Sequence, residues 1–79
     1  MARMLRLEPM LDKSGLKRTP AYRLMREGLW PAGVKLGPRM VAWPEHEVDA
    51  VLGARTAGHS DEQVKALVQQ LHEARKVAA

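Results

Sequence analysis

Thr19, Tyr22, Arg23 and Arg26 recur at i, i+3, i+4 and i+7, the spacing that gathers side chains on one side of a helix. Two guanidinium forks, a phenol and a hydroxyl in that alignment are donors of the kind that reach phosphate oxygens and guanine edges in a duplex groove. Ala21, Leu24, Met25 and Gly28 repeat the spacing offset by two residues, which at about 100° per residue turns them to the far side. One side is small and apolar for packing; the other is cationic. A helix of this kind is held down by a core while it offers donors to a nucleic-acid groove. For Tyr22 two readings stand, contact with phosphate or base and simple surface exposure.

Other chemistries find no support. His46-Glu47 opens the H-E-x-x-H zinc pattern, but Ala50 stands where the second histidine must ligate. His59 and His72 are isolated and cysteine is absent, so the expectation is surface histidines, no metal site, no disulfide and a reducing, cytoplasmic setting. The glycines form neither G-x-G-x-x-G nor a phosphate-cradling G-x-x-x-x-G-K-S/T, and neither serine sits in a nucleophile elbow. No catalytic residue and no cofactor are predicted. The scattered methionines read as core fillers in a chain without phenylalanine, and Trp30 and Trp43 read as core rather than as base-stacking platforms.

Positive charge is concentrated in the first half. Residues 1–44 carry nine Lys and Arg against three Asp and Glu, a balance of +6, whereas residues 45–79 carry four against six, a balance of −2. That asymmetry favours a polyanionic partner. Seventy-nine residues support one small core, burying roughly 60% of the unfolded surface, and cores of this size often take help from an oligomer interface. The N-terminus lacks the apolar run of a signal peptide, and no segment has the length and hydropathy of a membrane span.

The elements that must position the cationic helix follow from punctuation. Met4 to Leu7 alternates apolar and basic residues and predicts a short strand with Leu5 and Leu7 inward. Pro9 opens a helix as its first residue, and the helix runs to Ser14 and stops at Gly15. Thr19 and Pro20 supply the N-cap and first residue of the second helix; Gly28 ends it, with Leu29 folding back on Leu24. Val34-Lys-Leu36 and Val41-Ala-Trp43 flank Gly37-Pro38 as a β-hairpin, with Val34 opposite Val41 on the core side, Lys35 outward and Arg39 beside the tip. A third helix begins after Pro44 with Glu45 and Glu47 in its first turn, carries Val48, Val51 and Leu52 on one face, and ends near residues 55–57. Ser60-Asp-Glu-Gln63 is a capping box for a fourth helix over residues 61–77. Val64, Leu67, Val68, Leu71 and Ala74 form a 3-4 seam on it. The seam predicts self-association or packing on the chain's own domain.

Three stretches carry a resemblance: Leu-Lys-Arg-Thr-Pro-Ala-Tyr-Arg-Leu-Met-Arg-Glu-Gly-Leu-Trp-Pro from Leu16, Val-Lys-Leu-Gly-Pro-Arg-Met-Val-Ala-Trp from Val34, and Glu-His-Glu-Val-Asp-Ala from Glu45. In that order and spacing the chain from Leu5 to Arg55 resembles the AlpA family of prophage and mobile-element regulators, small winged helix-turn-helix proteins related to MerR and excisionase DNA-binding domains. The resemblance implies a mainly α fold with a hairpin wing, assigned to residues 1–57; residues 58–79 lie outside it and carry the extra C-terminal helix that the capping box predicts. It implies double-stranded DNA as partner, through Lys17, Arg18, Thr19, Tyr22, Arg23 and Arg26 at the turn and recognition helix and Lys35 and Arg39 on the wing. The chain departs from the family at Pro20, where a hydroxyl residue is common, and at Ala21, where a larger aliphatic is usual. Base-by-base specificity is therefore not carried over.

The implied role is a transcriptional regulator of excision and integration genes, or alternatively a recombination directionality factor that binds and bends attachment-site DNA cooperatively. RNA polymerase or an integrase would be a further partner in one case or the other. Arg23 and Arg26 are the candidates for guanine edges, with Lys17, Arg18 and Thr19 on phosphates. A single module of this size covers only about 600–1,000 Å², so homo-oligomers or cooperative copies on DNA are expected. The competing class is a protein-interaction adaptor whose working surface is the fourth helix.

Overall fold

Gly15 adopts φ +74° and its N–H closes on the Leu11 carbonyl at 2.8 Å, a left-handed turn that a Cβ would strain. That reversal sets one short helix against the next. The computed structural model describes residues 3–78, in the order β1 (Met4–Arg6), α1 (Leu7–Ser14), α2 (Arg18–Arg26), β2 (Val34–Gly37), β3 (Met40–Pro44), α3 (Glu45–Thr56) and α4 (Asp61–Ala78). Residues 1, 2 and 79, included in the two segments expected above, lie outside the described residues. The architecture is a winged helix-turn-helix with an additional C-terminal helix.

α1 and α2 each begin two residues earlier than expected. The first N–H groups of a helix have no intrahelical partner, so proline is tolerated throughout the first turn, and Pro9 and Pro20 each occupy the third position. Leu7 is accordingly the first residue of α1, half-buried, rather than an inward strand residue. Lys17, extended at φ −94° and ψ 166°, precedes α2 without a side-chain cap. Thr19 is therefore an exposed helical residue, not the cap. The end of α2 is as expected: Leu29 N–H donates to the Leu24 carbonyl at 2.9 Å and Gly28 N–H to the Met25 carbonyl at 3.2 Å, the paired bonds of a Schellman motif.

The three strands lie in the order β1-β3-β2, all antiparallel. Leu5 stands opposite Trp43, and both are buried. The hairpin departs from the expected register: Val34 pairs with Ala42, Lys35 with Val41 and Gly37 with Met40, with an irregularity between Lys35 and Gly37. Leu36 is the extra residue on β2, and Pro38-Arg39 form the turn. Side chains alternate with period two, so Val41 stays on the face of Trp43; the one-residue slip places Lys35 instead of Val34 opposite it, and Val41 is 40% exposed.

The core gathers Met10, Leu11, Ala21, Leu29, Trp30, Trp43, Val48 and Val51, and Val64 and Val68 of α4 join it. The Ser60 capping box forms in both directions, Ser60 N–H to Gln63 Oε1 at 2.8 Å and Gln63 N–H to Ser60 Oγ at 3.3 Å. Of the seam residues, Val64 and Val68 are fully buried within this chain, Leu67 and Leu71 are half-buried against its core, and Ala74 is exposed. A core without phenylalanine uses α4 as its cover, so the two valines are not an open face for a second copy. Among the described residues no helix is long and apolar enough to cross a membrane.

Candidate nucleic-acid interface

α2 separates its two faces as the spacing requires. Ala21 is fully buried, and Leu24 and Met25 are half-buried against the core. On the opposite side Arg18, Thr19, Arg23 and Arg26 are exposed, and Tyr22 is 48% exposed. Among the described residues Lys17, Arg23, Arg26, Lys35 and Arg39 form no ion pair within 4.0 Å. Cations without carboxylate partners keep their donors for another acceptor. Arg18 differs, because its Nη2 donates to Glu8 Oε1 on α1 at 2.8 Å, and that hydrogen bond holds its proton more firmly than an ordinary guanidinium does.

Two concavities run along this side. A shallow one of about 610 Å³ is lined by Arg18, Thr19, Tyr22, Met25 and Arg26. A second, of about 360 Å³, lies between α2 and the hairpin, lined by Arg6, Glu8, Arg18, Tyr22, Arg39 and Val41 among others. Arg18 and Tyr22 line both. The structure thus brings Arg18, Tyr22 and Arg39 to one hollow. Lys35, directly across the strands from Val41, shares its face of the sheet. Lys17, Thr19, Arg23 and Arg26 remain on the α2 side, outside that hollow.

Sequence reasoning missed three features. Arg6 lines the inter-element hollow, a position hidden by its reading as the solvent side of a strand. Leu36, Met40 and Val41 leave an exposed apolar surface on the wing, where the expected register kept Leu36 in the ladder and set Val34 opposite Val41. Glu47 and His72 are structural: Glu47 is buried against Arg75, and His72 Nε2 accepts from Ala32 N–H at 3.1 Å, so neither is an ordinary surface group. Trp30 and Trp43 are both in the core, and Trp43 Nε1 donates to the Pro31 carbonyl at 3.0 Å.

A helix-turn-helix with a hairpin beside it and an arginine-bearing outer face defines the class: a winged helix-turn-helix protein. Residues 3–56 match the family of the prophage CP4-57 regulatory protein, AlpA, and the chain belongs to that family of prophage regulatory proteins. It is 41% identical over 56 residues to a protein of Enterobacteria phage P4 described as uncharacterized protein ORF88, a match that takes in 71% of this chain and 64% of the phage protein. The chain thus matches less than two thirds of that relative's length. No solved structure matches the chain. All of α4 lies beyond the family match, while the residues it bonds, Ala32 and Glu47, lie within it.

Proposed function

We propose that this chain is a sequence-reading, double-stranded DNA-binding regulator of a prophage or integrative element, acting on genes for excision and integration. One observation carries the reading: Arg23 and Arg26 stand exposed and without ion-pair partners among the described residues, on a helix whose other side is fixed in the core. α2 enters the major groove, and its two arginines address guanine edges. Lys17, Arg18 and Thr19 lie at the start of α2, where the helix dipole favours an anion and no side chain occupies the cap; these hold backbone phosphates. The wing carries Lys35 and Arg39 beside exposed Leu36, Met40 and Val41, a combination suited to a neighbouring minor groove, whose sugar walls are apolar and whose rims are anionic.

The test is Arg23→Glu with Arg26→Glu. Both side chains are exposed, so the circular-dichroism melt stays within a few degrees of wild type while the shift of target DNA is lost. A double variant that shifts DNA normally rules out α2 as the reading element. Protection footprinting over the neighbouring DNA then separates the two regulatory roles. A single site beside a promoter marks transcriptional control, and clustered direct repeats with bending mark a directionality factor.

A further inference from the structure

The hollow between α2 and the wing is lined by three arginines and one glutamate. Arg6 comes from the end of β1, Arg18 from the start of α2, Arg39 from the hairpin turn and Glu8 from α1. Tyr22 stands on its wall with a phenol that can donate. Glu8 already satisfies Arg18 at 2.8 Å. Nothing in the fold requires that pair: both side chains are mostly exposed, at 64% and 75%, and exposed ion pairs contribute little to stability. A carboxylate oxygen and a phosphate oxygen make the same geometric demand on a guanidinium.

We propose that this hollow seats one backbone phosphate of the bound duplex, with Arg6 as an unrecognised ligand beside Arg18 and Arg39, and that Glu8 occupies Arg18 until the phosphate displaces it. This rests on the DNA-binding reading above and adds a specific anion site and a built-in competitor to it. Three cations around one hollow strongly favour any anion, and on a polyanion they favour all sequences alike. Glu8 counters that. It lowers binding to every duplex because Arg18 must give up its bond to Glu8 before it can take the phosphate, so that occupancy depends more on the base contacts of α2.

The experiment measures binding of a mixed-sequence duplex of about 24 base pairs by fluorescence anisotropy across about 50–200 mM salt, a range over which phosphate contacts register as the slope of log affinity on log salt. Arg6→Ala makes the slope shallower by about 1, the change expected for one lost phosphate contact. Glu8→Gln tightens binding about fivefold at low salt, the size of one unit-charge attraction to Arg18 at contact distance in water, and the gain disappears when Arg18→Ala is added. Melting curves of Arg6→Ala and Glu8→Gln match wild type. The proposal is overturned if Arg6→Ala keeps the wild-type slope or if Glu8→Gln fails to tighten binding. Either result, obtained while the Arg23→Glu, Arg26→Glu variant has lost DNA, leaves the DNA-binding reading standing and removes only the phosphate seat.

Discussion

Arg75, in the last turns of α4, is hydrogen-bonded to the buried carboxylate of Glu47 on α3, with Nε donating to Oε2 at 2.9 Å and Nη2 donating to Oε1. The same Nη2 donates to the Ala32 carbonyl at 2.8 Å, and Ala32 N–H is taken by His72. Both backbone groups of one residue between α2 and β2 are thus satisfied by α4 side chains. α4 therefore does more than cover the core: it fixes where the chain leaves α2 and enters the wing.

Removing Arg75 leaves Glu47, 1% exposed, as a buried charge without a partner. Breaking a buried pair costs roughly 3–5 kcal/mol, reduced here because a quarter of the Arg75 side chain reaches solvent. Arg75→Ala is expected to lose about 2–3 kcal/mol in urea unfolding. Arg75→Met combined with Glu47→Met recovers most of that loss, since an apolar pair of similar volume removes the desolvation cost as well as the attraction.

Truncation after Gly58 is expected to abolish cooperative unfolding rather than only assembly. Val64 and Val68 are completely buried, and full burial of an aliphatic side chain contributes about 1.5–3 kcal/mol each. Together with the half-buried Leu67 and Leu71, this approaches the whole margin of a small domain, about 5 kcal/mol at the low end. A thermal melt monitored at 222 nm checks it: a truncated chain that still melts sharply would show that α4 is dispensable to the fold.

What was legible in the sequence was whatever local chemistry decides. Gly15 and Gly28 stop helices because left-handed backbone selects glycine, and Ser60 with Gln63 caps α4 because the reciprocal bond needs only four residues. The two faces of α2 follow from helical period alone. The starts of α1 and α2 were misread because proline marks a first turn without saying which residue of it. The hairpin register depended on Leu36 being left out of the ladder, and nothing in Gly37-Pro38 announces that. Glu47 with Arg75, and Glu8 with Arg18, are separated by 28 and 10 residues; such pairs exist only once helices have packed. For the same reason the arginine face was readable, while the hollow that Arg6 and Arg39 share was not.

Lys13 joins α1 to α3 through Asp49 at 2.8 Å and Glu45 at 3.1 Å. Those bonds, that to Asp49 first, raise its pKa above the ordinary 10.5. A group whose folded pKa is raised contributes stability that is complete below its unfolded value and disappears as pH rises through the folded one. The contribution is therefore intact at neutral pH and lost at strongly alkaline pH. Urea midpoints of wild type and Lys13→Met, compared from about pH 8 into the strongly alkaline range, should converge at its upper end; a constant difference across that range would refute the linkage.

Gly33 lies where the segment fixed by α4 enters β2, and a Cβ there would clash with Val41 Cγ1 and stand 3.1 Å from Trp43 Cζ2. Val41 is partly exposed and can yield by changing rotamer, whereas the Trp43 indole is buried and anchored through its N–H to the Pro31 carbonyl. Strain from Gly33→Ala must therefore move the β2 end of the wing rather than the core. A loss of about 1–3 kcal/mol is expected, as for other overpacked sites, and adding Val41→Ala should recover part of it. On the DNA-binding reading proposed above, footprints supply the sharper readout. Because Arg39 and Val41 line one side of the hollow and Arg18 and Tyr22 the other, displacing the hairpin weakens wing contacts while leaving α2 seated. Hydroxyl-radical footprints of Gly33→Ala should keep protection where α2 binds and lose it on the wing side. Equal loss on both sides would mean that the wing and α2 move as one rigid body.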